Sequence, residues 1–273
     1  MILVNGKAED RIAIADRGLQ YGDGLFETIA FRNGVAEFID AHLQRLLLGC
    51  KRLNIPFQQL DLLHQELEAI YQKLANTDSV IKIIITRGSG GRGYLADQSV
   101  VPTRIISTHD YPSYPKSHSQ MGVTVRLCQH RLSENHSLAG LKHLNRLDNV
   151  LARNEWNDSD IAEGLMFDQT NHLIEGTMTN VFLVKSQQLI TPSLNKAGVE
   201  GIMKAQLIAV TKQLGLTVNE THITQDDLKN ADEVFVCNSV NGIWPVIAVI
   251  DVADYTVGPI TQQLQQGLSR VRR

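Results

Sequence analysis

Cysteine is scarce in this chain of 273 residues: Cys50, Cys128 and Cys237 are all it has, far apart and with no C-x-x-C spacing. That excludes a disulfide framework or a cysteine-based zinc site, and the three are read as reduced and structural. A basic excess is missing too, since 26 Lys and Arg stand against 29 Asp and Glu for a formal charge of −3, so a polyanion or a membrane surface has nothing to hold it. No apolar run reaches membrane-spanning length, and the apolar opening Met1–Val4 stops at Asn5-Gly6-Lys7, too short for a signal segment; the chain is read as cytoplasmic. Neither G-x-S-x-G nor H-E-x-x-H occurs, and the nine histidines show no ligand spacing with cysteines or carboxylates, so no metal is expected.

What remains is an ordinary globular composition on a chain long enough for one large or two medium domains. Periodicity predicts strands at Met1–Val4, Ile12–Ala15, Phe26–Arg32 and Ala36–Ile39, the last two joined by the hairpin signal Asn33-Gly34. Apolar residues at helical spacing predict helices over His42–Leu53 and Leu60–Leu74, and β-rich runs follow at Val80–Thr86 and Val101–Ser107. The prolines of Tyr111-Pro112-Ser113-Tyr114-Pro115 argue for an extended crossing segment. The expected organisation is a small N-terminal domain over 1–110, a linker over 111–119 and a larger domain over 120–273. In the latter the pattern predicts a strand at Gly122–Cys128 and a helix over Asn145–Trp156. Strands are expected at Gly164–Asp168, Leu173–Ile174, Asn180–Val184 and Gln188–Thr191. A helix over Ile202–Leu214 and strands near Thr217–Val218, Glu233–Cys237 and Val246–Val249 complete it.

Several segments could carry chemistry. Leu138-Ala139-Gly140-Leu141-Lys142-His143 sets one lysine in an apolar stretch, where desolvation would favour the neutral amine that a Schiff-base nucleophile needs; spacing alone favours a lysine whose stem merely covers apolar surface. Glu175, in Leu173-Ile174-Glu175-Gly176, could hold a protonated pyridine nitrogen or be an exposed turn acid. Ala197-Gly198-Val199-Glu200-Gly201 leads into Ile202-Met203, a glycine-punctuated helix entry where a phosphate can sit or nothing at all. Arg45 could clamp a phosphate or snorkel. Arg87-Gly88-Ser89-Gly90-Gly91-Arg92-Gly93-Tyr94 could recognise a carboxylate; glycine loops are weak signals, and this one lacks the Walker lysine-hydroxyl pair. Thr28, by itself, is a strand threonine.

In chain order H-x-x-R-L, R-G-x-G-G-R-G-Y, K-H-L-N-R-L, E-G-x-x-x-N-V-F, G-x-x-G-I-M and C-N-S resemble the fold-type IV pyridoxal-5′-phosphate (PLP) family of branched-chain aminotransferases, D-amino-acid aminotransferases and aminodeoxychorismate lyases. The resemblance covers essentially the whole chain. It implies an α+β, two-domain, D-amino-acid-aminotransferase-like fold, with a small α/β domain, a larger mixed domain and PLP at the domain interface. It further implies Lys142 as the Schiff-base lysine, Glu175 at the pyridine nitrogen, and a phosphate held by Arg45, the backbone of Ile202 and Met203, and Ser239. Within the family, Lys142-His143-Leu144-Asn145-Arg146-Leu147, Arg92-Gly93-Tyr94 and Thr28 look like the lyase branch, which converts 4-amino-4-deoxychorismate to 4-aminobenzoate and pyruvate on the way to folate. Catalytic roles then fall to Lys142 and Thr28, and substrate binding to Arg92, Tyr94, Arg87 and Phe26, in a homodimer. Glu27 is a departure, since it precedes Thr28 as in many aminotransferases. The alternatives are a D-amino-acid or branched-chain aminotransferase and, remotely, a non-catalytic PLP-fold binding protein.

Overall fold

The computed structural model describes residues 1–91, 93–97 and 99–271, and its chain divides into two compact units. The first comprises Met1–Pro112 together with Leu141–Asn145, and the second Ser113–Gly140 with Arg146–Arg273.

In the first unit the elements run β1 (Ile2–Val4), α1 (Arg17–Tyr21), β2 (Gly24–Arg32), β3 (Val35–Ala36), α2 (Ile39–Arg52), α3 (Leu60–Leu74), β4 (Ser79–Thr86) and β5 (Thr103–Asp110). The strands form one antiparallel sheet in the order β1-β5-β4-β2-β3. Asn33 and Gly34 both take positive φ, 52° and 77°, the geometry that lets two residues reverse a twisted strand pair. Alternation along β2 turns Leu25, Glu27, Ile29 and Phe31 inward and leaves Phe26 and Thr28 half-buried on the other face. Leu43, Leu46 and Cys50 of α2, with Leu63, Leu67 and Ile70 of α3, are the buried faces of the two helices, and Ile81, Ile83 and Ile85 of β4 are likewise buried.

Two expectations fail here. Ile12–Ala15 forms no strand, because β1 pairs with the distant β5 and leaves Ile12 and Ile14 exposed. The predicted Ala36–Ile39 strand shrinks to Val35–Ala36, since Phe38 turns the chain through φ 54° and α2 begins at Ile39.

The second unit comprises α4 (Ser117–Gln120), β6 (Val123–Leu132), α5 (Leu147–Arg153), β7 (Ile161–Asp168), β8 (Leu173–Gly176), β9 (Asn180–Lys185), β10 (Gln188–Pro192), α6 (Ile202–Gln213), β11 (Val218–Thr221), α7 (Gln225–Lys229), β12 (Glu233–Asn238), β13 (Gly242–Val249), β14 (Ala253–Asp254) and α8 (Pro259–Val271). Its mixed sheet runs β11-β10-β9-β12-β13-β6-β7-β8, with β14 on β13; β10/β11, β13/β6 and β6/β7 are parallel. Buried Val125, Leu165, Phe167, Val181, Leu183, Val234, Val236 and Val246 make its core. The helices α7 and α8 were not legible in the pattern. In α8 the buried Ile260, Leu264 and Leu268 recur every four residues among glutamines, a single narrow stripe. Among the described residues no helix is long and apolar enough to cross a membrane.

Candidate active site

Lys142 lies in an extended segment that precedes α5. Its carbonyl accepts from the Phe26 N–H (2.9 Å), Leu144 N–H donates to the Gly24 carbonyl (3.0 Å), and Leu25 and His143 form a bridge, so residues 142–144 are stitched to the first half of β2. The Lys142 amine then stands 4.3 Å from the centre of the Phe26 ring. Thr28 is two residues along the same strand face, and directly opposite it in register is Lys82, whose amine lies 5.4 Å from that same ring. Lys142, Phe26 and Thr28 are thereby brought together. Lys82 joins them without any sequence signal, because only the β2/β4 register puts it there.

Behind β2, on its inward face, Glu27 is 1% exposed and fills an apolar position. It is held there by Arg45 Nε (2.8 Å), by a second, shorter bond from Arg45 Nη2, and by His42 Nδ1 (2.6 Å). Burial pushes the Glu27 pKa up, yet the hydrogen bonds and charges of His42 and Arg45 pull it below its ordinary value. Burial likewise carries the His42 pKa down, against the pull of Glu27. An ionised Glu27 requires the Nδ1–H tautomer of His42, and His42 Nε2 is buried with no hydrogen-bond partner among the described residues. Arg45 therefore neither snorkels nor stands alone; it belongs to a buried ion pair of the kind that loses about 3–5 kcal/mol when one partner is removed.

Arg87 has a different setting. Its guanidinium binds both oxygens of Asp23 (2.7 and 3.1 Å) and the carbonyls of Leu53 (2.7 Å) and Asn54 (2.6 Å), tying the glycine loop to the end of α2. Arg17 shares Asp23 and donates to the carbonyls of Gly93 and Tyr94, both at 3.0 Å. Tyr94 is 89% exposed, its ring 5.7 Å from that of Tyr21. Arg92 lies outside the described residues.

In the second unit Glu175 is a buried strand residue, paired in register with Met166, rather than an exposed turn acid. Its Oε2 accepts from the Val199 N–H (2.8 Å), while Asn180 Nδ2 donates to the Val199 carbonyl (2.9 Å), so one residue of the glycine loop is gripped from both sides. Helix α6 opens at Ile202 with Gly201 as its cap and no side-chain acceptor on its first N–H groups. A Cβ at 201 would stand 1.9 Å from Asn180 Oδ1, and Gly198 has φ 85°, so both glycines are required. Ser239 is half-buried between β12 and β13, in a turn closed by Asn238 Oδ1 accepting from the N–H groups of Val240 (2.9 Å) and Asn241 (2.7 Å).

Taken unit by unit, the first offers an amine over an aromatic ring and a guanidinium paired with a buried carboxylate, and the second an uncapped helix start behind glycines; such groups suit an aldehyde and a phosphate. Among the described residues no three His, Cys, Asp or Glu side chains could hold a metal ion.

Comparison with known proteins gives the same direction. Residues 24–249 match the amino-transferase class IV family model. The aminodeoxychorismate lyase of Vibrio harveyi is 35% identical over 272 residues, covering 98% of this chain and all of that protein. The crystal structure of 4-amino-4-deoxychorismate lyase from Pseudomonas aeruginosa superposes with a TM-score of 0.95 at 44% identity, covering 99% and 98% of the two chains. That of the Escherichia coli branched-chain amino acid aminotransferase gives 0.89 at 25%, covering 99% and 94%.

Proposed function

The chain belongs to the amino-transferase class IV family, and from that premise we propose that it is a PLP-dependent lyase releasing 4-aminobenzoate and pyruvate from 4-amino-4-deoxychorismate, in folate biosynthesis. The observation that carries the reading is the grouping of Lys142, Phe26 and Thr28 on one face of β2 in a chain 44% identical to a lyase over nearly its full length. The cofactor of this family is PLP, which supplies an electrophilic aldehyde and an electron-accepting ring.

Lys142 would hold the cofactor through its amine, and that amine would serve as the base at the ring carbon bearing the substrate's amine. Thr28, on the same face, delivers a proton to the departing enolpyruvyl oxygen. Elimination leaves an aromatic ring, which makes the step favourable. Glu175, anchored through Val199, would hold a proton at the pyridine nitrogen. The Ile202 and Met203 N–H groups and Ser239, and on the first unit Arg45, would be the groups to hold a phosphate. Phe26 would line the site beside the Lys142 amine, and Arg92 with Tyr94 would recognise a substrate carboxylate; Arg87 serves that loop by anchoring it to α2.

Assembly as a homodimer would cover apolar side chains that the first unit leaves exposed, among them Ile14, Leu19, Leu95 and Val101; the cytoplasm is the expected compartment. The test is 4-aminobenzoate release by the PLP-loaded protein from enzymatically made aminodeoxychorismate. Lasting conversion to the pyridoxamine form on adding an amino acid, with no 4-aminobenzoate, would replace the lyase by an aminotransferase.

A further inference from the structure

Glu163 of β7 is wholly buried and belongs to no ion pair among the described residues. Instead its two oxygens divide the donors of the turn that follows β8, and one of them also takes the N–H of its own neighbour Gly164. Oε1 accepts from Gly164 N–H (2.8 Å), Thr177 N–H (3.0 Å) and Thr177 Oγ1 (2.6 Å), and Oε2 from Met178 N–H (3.1 Å) and Thr179 Oγ1 (2.9 Å). Gly176 has no room for a side chain, since a Cβ there would stand 2.8 Å from Glu163 Oε2 and 2.2 Å from Thr179 Oγ1. An acid under a turn, with every contact a donor to it, is a template for that turn.

What the turn carries gives the template a purpose. Glu175 precedes Gly176 directly, and Asn180 follows Thr179; these are the two side chains that grip Val199. The turn's outward carbonyls are also occupied: Met178 O accepts from Asn238 Nδ2 (3.2 Å), the residue next to Ser239, and Thr177 O from Asn149 Nδ2 (3.0 Å) of α5. We propose that Glu163 is the positioning residue of the cofactor site, setting Glu175, the glycine loop and the Ser239 turn in one frame through the turn at residues 176–179. This rests on the PLP-dependent reading above. Glu163 itself touches neither substrate nor cofactor.

The experiment uses PLP-loaded protein and reads the PLP dissociation constant, the visible absorption band and the pH midpoint of that band, with urea midpoints in parallel. In Glu163→Gln the amide places a donor against the turn's donors, so PLP affinity should fall at least about tenfold, the range seen when the residues behind a site's ligands are changed. The band's pH midpoint should move, because Glu175 is displaced. Thr179→Val, which removes one donor, should move both readouts in the same sense, and Thr179→Ser should restore them. A role confined to stability would lower the urea midpoint and leave the band of the folded, loaded variants unchanged; that result overturns the inference. Should Glu163→Gln fail to fold, the Thr179 pair decides alone, with native affinity and band in Thr179→Val overturning it. Native protein that takes up no PLP would instead overturn the cofactor reading, and this inference with it.

Discussion

Lys142 differs from Lys204 in what surrounds its amine. Lys204 is 1% exposed and clamped between Glu200 (3.1 Å) and Glu220 (2.6 Å), a tie from α6 to β11, whereas the Lys142 amine lies over an aromatic ring at a half-buried position. Borohydride reduction of the PLP-loaded protein followed by peptide mapping should therefore mark Lys142, and Lys142→Ala should abolish turnover and loosen PLP. Label on Lys204 or Lys196 would sink the assignment. Thr28 carries a separate prediction, since its hydroxyl is assigned to the leaving oxygen and not to the cofactor. Thr28→Ala should slow 4-aminobenzoate release about 10²–10⁴-fold while PLP binding and any slow pyridoxamine formation stay nearly unchanged. Equal losses in both reactions would make Thr28 a residue that shapes the site in general.

Helix α8 shows how an element can depend on one distant acid. Glu233 at the start of β12 accepts from the Ile260 N–H (3.0 Å), the Thr261 N–H (2.8 Å) and the Thr261 hydroxyl (2.7 Å), and Gly258 lies so close that any Cβ would meet the carboxylate. Those donors are buried, so Glu233→Ala should cost about 1–3 kcal/mol in urea unfolding, with catalysis at saturating PLP retained. An unchanged midpoint would mean that packing of Ile260, Leu264 and Leu268 alone holds the helix. None of this was legible in advance, because the cap comes from 27 residues upstream. Elements whose signal is local were legible: the Asn33-Gly34 hairpin, α3 with its buried Leu63, Leu67 and Ile70, and β9 over Asn180–Lys185. Ile12–Ala15 stays out of the sheet, and β-rich composition says nothing about which strand already pairs at its edge, here β1 on β5.

At the scale of the whole chain, the order of motifs carried the family, while the contacts that join them over long separations did not show in any pattern. Glu27 and His42 are 15 residues apart, on a strand and a helix whose periodicities mark both positions as apolar or neutral; only the fold turns them into a buried pair. That pair gives folding a pH dependence whose sign can be worked out. The His42 pKa is below its ordinary value of 6.5 in the fold because burial disfavours the imidazolium. As pH falls through 6.5 the unfolded chain takes up a proton that the folded chain refuses, so stability drops, by up to about 1.4 kcal/mol per pH unit from this group, until the folded pKa is reached. Glu27, held below its ordinary 4.5 by His42 and Arg45 in spite of burial, adds a second loss only below that pH. Glu163 is raised by burial and tilts stability in the opposite sense, so the total curve alone does not isolate the histidine. A difference between two proteins does. His42→Asn keeps a side-chain N–H toward Glu27 but cannot take up the proton. Between pH 7.5 and 5.5, urea midpoints should fall more steeply for the native protein than for the variant, although the variant starts from lower stability. Parallel curves would mean that His42 binds its proton as readily in the fold as out of it, and that Glu27 rather than burial governs the imidazole.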